Sequence, residues 1–184
     1  MLVSGRRARS PRQRVGGAAK ADVAGGAHHT SYSLTVELPK AESDMTERSQ
    51  TDPRTILEAL PTRGLADQLG IEILELTPKR VVASMPVDQR TRQPFGILHG
   101  GASVALAETV ASLGAIMNVD IDKSSAVGLE INANHLRAKR EGIVTATATP
   151  FHVGRSTQVW DIRIVDEDER PVCISRCTLA VVPR

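Results

Sequence analysis

One carboxylate interrupts the longest apolar run of the chain. From Gly100 to Val119 the residues read GGASVALAETVASLGAIMNV, and Glu108 is the single charged residue among them. Burying an unpaired carboxylate costs several kcal/mol, so a fold keeps one only beside a partner, on a wet cleft or for chemical use. Immediately before the run stands His99-Gly100-Gly101, which opens a helix with free backbone N–H groups. Such a terminus can hold an oxyanion, and glycine there lets a ligand approach the main chain closely. Ser112 follows Glu108 by one turn and shares its face. A lone acid on a helix that begins in anion-binding donors is the kernel of a hydrolytic site.

The elements that must position these residues follow from periodicity. A short helix is expected over about 54–60 and another turn over 64–69. Ile71, Ile73 and Leu76 pattern with Glu72 and Glu75 as an amphipathic strand, with a hairpin partner over 81–87 across Pro78-Lys79. A loop over 88–98 leads into the helix, expected over about 100–118. Four strand-like runs come next. In the first, Val127, Leu129, Ile131 and Ala133 alternate against Gly128, Glu130, Asn132 and Asn134; the others cover 143–150, the stretch around Trp160, Ile162 and Ile164, and 172–181. A helix apolar all round must be covered, and two strands, one helix and four strands leave a curved antiparallel sheet as the cover. The expected fold class is α+β, with that sheet wrapped around one long central helix.

Composition narrows the function classes. The chain has 184 residues and a formal net charge of +2. The positive excess sits in the N-terminal segment, in Arg6, Arg7, Arg9, Arg12, Arg14 and Lys20, while residues 45–184 are about balanced, so a nucleic-acid-binding core is disfavoured. With one Trp, one Tyr and two Phe, the core must be aliphatic, and Trp160 is expected within it. Cys173 and Cys177 lie ~13 Å apart along one strand, too far to bond to each other, and are read as buried strand residues of a reduced cytoplasmic protein. The five histidines complete no metal-ligand spacing. The run 100–119 approaches the length of a membrane span, but its Gly and Ala content and Glu108 mark a core helix instead.

Residues 1–50 have the Gly, Ser, Ala and Arg composition of a disordered extension, and 51–184 form the expected domain. Two further readings of the segment stand open. Met45-Thr46-Glu47 runs into Asp52-Pro53-Arg54, a helix start that makes Met45 an alternative beginning, and the Arg-rich, acid-poor composition also fits a transit peptide. No apolar stretch of a secretory signal follows the arginines.

Three blocks in this order, QPFGILHGGASVALAETVAS, VGLEINANHLRAKREG and FHVGRSTQVW, resemble the hotdog-fold thioesterases of the PaaI-like group, and within it the aryl-CoA branch that includes 1,4-dihydroxy-2-naphthoyl-CoA hydrolases of menaquinone synthesis. The resemblance spans about residues 54–182. It implies that Glu108 is the nucleophile or general base for thioester hydrolysis and that Gly100 gives its N–H to the thioester carbonyl. It further implies that Gln93 orients that carbonyl, that Ser112 holds Glu108 or the attacking water, and that His99 lines the same helix end. Substrate and CoA contacts are implied at Gly128, at His135 to Ala138 including Arg137, and at His152, Val153, Gly154, Arg155, Ser156 and Thr157. Arg137 and Arg155 are the expected phosphate partners, whereas Lys139 and Arg140 read as a solvated turn.

Helix geometry adds an expectation about assembly. Gly100 and Glu108 stand eight residues apart, ~12 Å along one helix, while donor and base must both reach one reacting group. A site shared between two subunits of a homodimer follows, with a homotetramer as the larger alternative, and the resemblance implies the same. The expected function is hydrolysis of aromatic acyl-CoA esters, with 1,4-dihydroxy-2-naphthoyl-CoA first and phenylacetyl-type or broad-range esters next. No cofactor is required beyond the CoA of the substrate. A hotdog hydratase would need an Asp and His pair that is absent around the helix; a non-enzymatic acyl-CoA sensor would have no need of Glu108. Phe95, Leu98, Met85, Leu113 and Met117 are candidates for the acyl pocket.

Overall fold

A computed structural model describes residues 64–184 together with Asp52 and Ile56. The expected extension over 1–50 and most of the expected helix over 54–60 lie outside the described residues; Ile56 is helical and buried. A short helix α1 (Leu65–Leu69) is followed by β1 (Glu72–Leu76), β2 (Val81–Pro86), the long helix α2 (Gly100–Ile116), β3 (Ser124–His135), β4 (Ile143–Val153), β5 (Thr157–Val165) and β6 (Pro171–Pro183). The strands form one sheet in the order β1-β2-β4-β5-β6-β3, antiparallel throughout. Helix α2 lies against β2, β3, β4, β5 and β6, as a helix without a polar face demands.

Its packing is built from small residues. Leu106, Ala107, Val110, Ala111 and Ala115 are wholly buried against Val81, Ala83 and Met85 of β2, Val144, Ala146 and Ala148 of β4, and Trp160, Ile162 and Ile164 of β5. Each of the larger aliphatics contributes about 1.5–3 kcal/mol on burial. Trp160 is core, as expected, and lies across Gly114: a Cβ there would stand 2.4 Å from the indole ring. Trp160 donates Nε1–H to Gln158 Oε1 at 3.1 Å, and Gln158 donates Nε2–H to the Ala115 carbonyl at 3.1 Å. This buried relay satisfies both side chains and ties the end of α2 to β5. Asn118 adds bonds to the Gly114 and Pro78 carbonyls, each 2.8 Å.

The expected alternation in β3 fails at its centre. A bulge between Gly128 and Glu130 inserts one residue, so Gly128 pairs with Leu179 while Ile131 pairs with Cys177. Leu129 is thereby 62 % exposed, and Val127 also faces outward; the helix-facing set is Ala126, Gly128, Ile131 and Ala133. The same device recurs in β1 at Leu74 and in β4 at Phe151, and each inserted apolar residue is exposed.

Lys139 is no solvated residue. Its side chain is only 15 % exposed and pairs with Glu167, whose other oxygen accepts the Ile143 N–H at 2.6 Å. Together they fix the turn that carries Arg137 and Ala138. Lys139, then the Ile143 N–H, pull the Glu167 carboxyl from 4.5 down to about 2. A carboxylate with a depressed folded pKa stabilises above its unfolded value and loses that contribution as pH falls through the folded one. Glu167→Gln is therefore expected to melt below wild type at neutral pH, with the gap closing between about pH 4.5 and 2. Thermal melts across that range check it; a gap independent of pH would contradict the pairing.

Candidate active site

The loop over 88–98 sets the first half of the site. Thr91 is buried and holds both ends of its turn, donating to the Pro86 carbonyl at 2.7 Å and accepting the Asp88 N–H at 3.0 Å. The Thr91 carbonyl then takes the His99 N–H at 2.8 Å, which places the start of α2. His99 is the N-cap: its Nδ1 accepts the Gly101 N–H at 2.8 Å. The Gly100 N–H has no acceptor among the described residues and stays available to a ligand.

Gly100 opens onto a cavity of about 260 Å³ lined by Gln93, Leu98, Ser103, His135, Arg137 and Ala138 among others. The structure thus brings Gln93, Gly100, His135, Arg137 and Ala138 to one place. The His135 ring roofs Gly100 so closely that a Cβ at 100 would lie 2.8 Å from Nε2. His99 is not part of this cavity. It faces a separate cleft with Arg90, Arg92, Gly101 and Ala105.

Glu108 and Ser112 line a different cavity, of about 540 Å³, together with Thr109, Leu113 and Ile116 of α2, Leu65 and Asp67 of α1, and Ile71 and Ile73. Its wall is mainly aliphatic. Ser112 shares this space with Glu108, but no hydrogen bond joins the two among the described residues. The carboxylate is held from the sheet side instead. A Cβ on Gly128 would lie 2.3 Å from Oε1, so glycine at 128 is what leaves room for the carboxylate. On its other side, Cys177 Sγ stands 4.0 Å from Oε2. Burial, then the negative charges of Glu108 and Glu130, push the Cys177 thiol up to about 12, so it is a neutral S–H at any working pH. Sequence reading gave Cys177 no role. Contact across the sheet between residues 69 positions apart is not visible in the spacing.

The remaining implied contacts lie elsewhere. His152, Val153, Gly154, Arg155, Ser156 and Thr157 form the β4–β5 turn, tightened by Gly154 N–H to Thr157 carbonyl at 2.9 Å. Thr157 pairs with Ala180 and Ala180 with Val127, whereas His135 pairs with Cys173. Eight residues of β3, about 26 Å, therefore separate this turn from the His135–Ala138 segment. Arg137 and Arg155 are both exposed, and neither has a carboxylate partner among the described residues. Of the acyl-pocket candidates, Leu113 lines the Glu108 cavity and Leu98 the Gly100 cavity. Met85 and Met117 are corrected to core residues, because both side chains point into the helix–sheet packing, and Phe95 is 83 % exposed. Cys173 and Cys177 are both free and buried. Among the described residues no helix is long and apolar enough to cross a membrane, and no cluster of His, Cys, Asp and Glu could hold a metal ion.

Comparison with known proteins places these features. Residues 95–173 match the family described as Thioesterase superfamily. The 1,4-dihydroxy-2-naphthoyl-CoA hydrolase of Listeria monocytogenes is 52% identical over 118 residues, covering 64% of this chain and 95% of that protein. The proofreading thioesterase EntH of Cronobacter turicensis is 46% identical over 126 residues, 68% of this chain and 91% of that one. Among solved structures, a mutant of thioesterase PA1618 from Pseudomonas aeruginosa superposes with a TM-score of 0.69 at 47% identity, covering 74% of this chain and 98% of that one.

Proposed function

The chain belongs to the thioesterase superfamily, and from that premise we propose a Glu108-dependent acyl-CoA thioesterase for aromatic acyl groups, with 1,4-dihydroxy-2-naphthoyl-CoA as its substrate. The observation that carries the reading is the placement of Glu108, a half-buried carboxylate on the wall of a largely aliphatic cavity of about 540 Å³, within the range of small-molecule sites. An acyl ring fits such a wall, and the Glu108 carboxylate, set on the long helix among apolar residues, can attack a thioester or take a proton from water. Either route puts negative charge on the carbonyl oxygen and expels the CoA thiolate. The free Gly100 N–H at the start of α2 is suited to receive that charge.

In one chain the donor and the carboxylate open onto separate cavities, and the two implied CoA segments are at opposite ends of β3. A second subunit resolves both separations at once. Among the described residues strand β3 is at the edge of the sheet, and twelve residues with one side unpaired there invite a partner strand. Antiparallel pairing of β3 with its copy about a two-fold brings the His135 end of one protomer towards the Gly128 region of the other. The working enzyme is then a homodimer with two shared sites, each taking Gly100 from one protomer and Glu108 from its partner.

A broader aryl range is the second reading, favoured by the 46% identity to a thioesterase named for proofreading. The experiment that tests substrate class is thiol release from purified acyl-CoA esters. The expected ranking places 1,4-dihydroxy-2-naphthoyl-CoA above benzoyl-CoA and phenylacetyl-CoA, and all three above decanoyl-CoA. Equal rates across the aryl esters select the broader reading, and preference for the aliphatic ester overturns both.

A further inference from the structure

Glu108 carries the proposed chemistry, yet no basic group touches it among the described residues. Its two oxygens meet the sheet at different points. Oε1 occupies the space that a Gly128 side chain would fill, and Oε2 faces the Cys177 thiol at 4.0 Å. Cys177 is fully buried in β6 and paired with Ile131 on one side and Trp160 on the other, so its sulfur is held by the sheet itself. The thiol has one proton to give, and Glu108 Oε2 is the acceptor in reach.

We infer that Cys177 is a positioning residue for the proposed reaction: its S–H donates to Glu108 Oε2 and fixes the carboxylate's orientation over Gly128. This rests on the reading of Glu108 as the reacting carboxylate. A thiol is a weak donor, but it is an uncharged one. It can orient the carboxylate while drawing off far less of the basicity that attack on a thioester needs than a lysine or arginine would. The raised thiol pKa agrees, since burial and the neighbouring carboxylates keep the S–H protonated.

Few other titratable groups among the described residues stand near Glu108. From α1, Asp67 lines the same cavity. From β3 come Glu130, whose Oε1 accepts from Asn132, and His135 at the Gly100 end; from β6 comes Cys173, whose thiol donates to the Ile174 carbonyl. The helix-facing residues of β2, β4 and β5 named above are apolar. Cys177 is thus the protein donor whose loss should be felt by the carboxylate itself.

The test compares kcat/KM against pH for wild type, Cys177→Ala, Cys177→Val and Cys177→Ser with benzoyl-CoA. Removing the donor should raise the acid limb by about half a pH unit in both the alanine and valine variants, the size appropriate to a weak donor on a charged acceptor. Serine should bring it back, and KM should hardly move. A cavity or packing defect would lower stability in alanine but leave the limb in place. A second readout needs no turnover. The difference infrared spectrum of wild type against Cys177→Val isolates the Cys177 S–H stretch, which should lie at lower frequency in wild type than in Glu108→Ala. Limbs that coincide in all four proteins, or a stretch indifferent to Glu108, overturn the inference. A wild type that hydrolyses no ester sinks the enzymatic reading instead, while the infrared band still reports on the contact.

Discussion

Glu108→Gln is expected to lower kcat for aryl-CoA hydrolysis by about 10³-fold or more while leaving the affinity for CoA esters within a small factor. The amide is nearly the same size, so the helix–sheet packing around residue 108 survives and the melting temperature should hold or rise. What disappears is the carboxylate that the proposed reaction uses to attack the thioester or to accept a proton from water. Removing a general base alone removes about 10²–10⁴-fold, and removing a nucleophile removes a whole route. The residual rate would come from the Gly100 donor and from binding. Thiol release under saturating ester, with binding followed separately, checks the split between kcat and KM. A variant that retains a tenth of the activity would move the chemistry away from Glu108.

Gly128→Ala carries the second largest effect, and its cause is different. The added methyl would stand 2.3 Å from Glu108 Oε1, closer than any real contact, so the carboxylate must move by about 1 Å. A misplacement of that size costs on the order of 10²-fold in rate. The strand should tolerate alanine, since Gly128 has an ordinary backbone conformation. Binding of CoA should persist. Combining the change with Glu108→Gln should add almost nothing to the loss from Glu108→Gln alone, because both act through one carboxylate. Additive losses would mean that Gly128 acts on the substrate, the role implied for it by family resemblance, and not on Glu108.

That pair shows where sequence reading succeeds and where it stops. The helix over 100–116 and every strand after it are legible because apolar periodicity and turn residues agree. Glu108 is legible because a lone acid in an apolar run has few explanations. The bulge at Leu129 is not legible. Period-two alternation cannot reveal one inserted residue, and here the insertion decides that Gly128 faces the helix. Lys139 escapes for a related reason, since its partner Glu167 lies 28 residues away across a turn. Cys177 is 69 residues from Glu108, and nothing in its local pattern distinguishes it from a packing residue. Gln93, Gly100, His135, Arg137 and Ala138 line one cavity, a proximity no local pattern reveals, whereas the separation of Gly100 from Glu108 is contained in the rise of an α-helix.

The same separation makes the shared site the central claim, and subunit complementation tests it most directly. Gln93→Ala disables the donor side and Glu108→Gln the carboxylate side, so each variant alone should be nearly inactive in thiol release from benzoyl-CoA. Unfolding the two together in equal amounts and refolding them gives half mixed dimers by random pairing. Each mixed dimer holds one site with both defects and one site with neither. Recovery of about a quarter of the wild-type activity is the predicted result. Confirmed mixed dimers with no activity above that of the parent variants would place Gln93 and Glu108 in the same protomer's site and contradict the account.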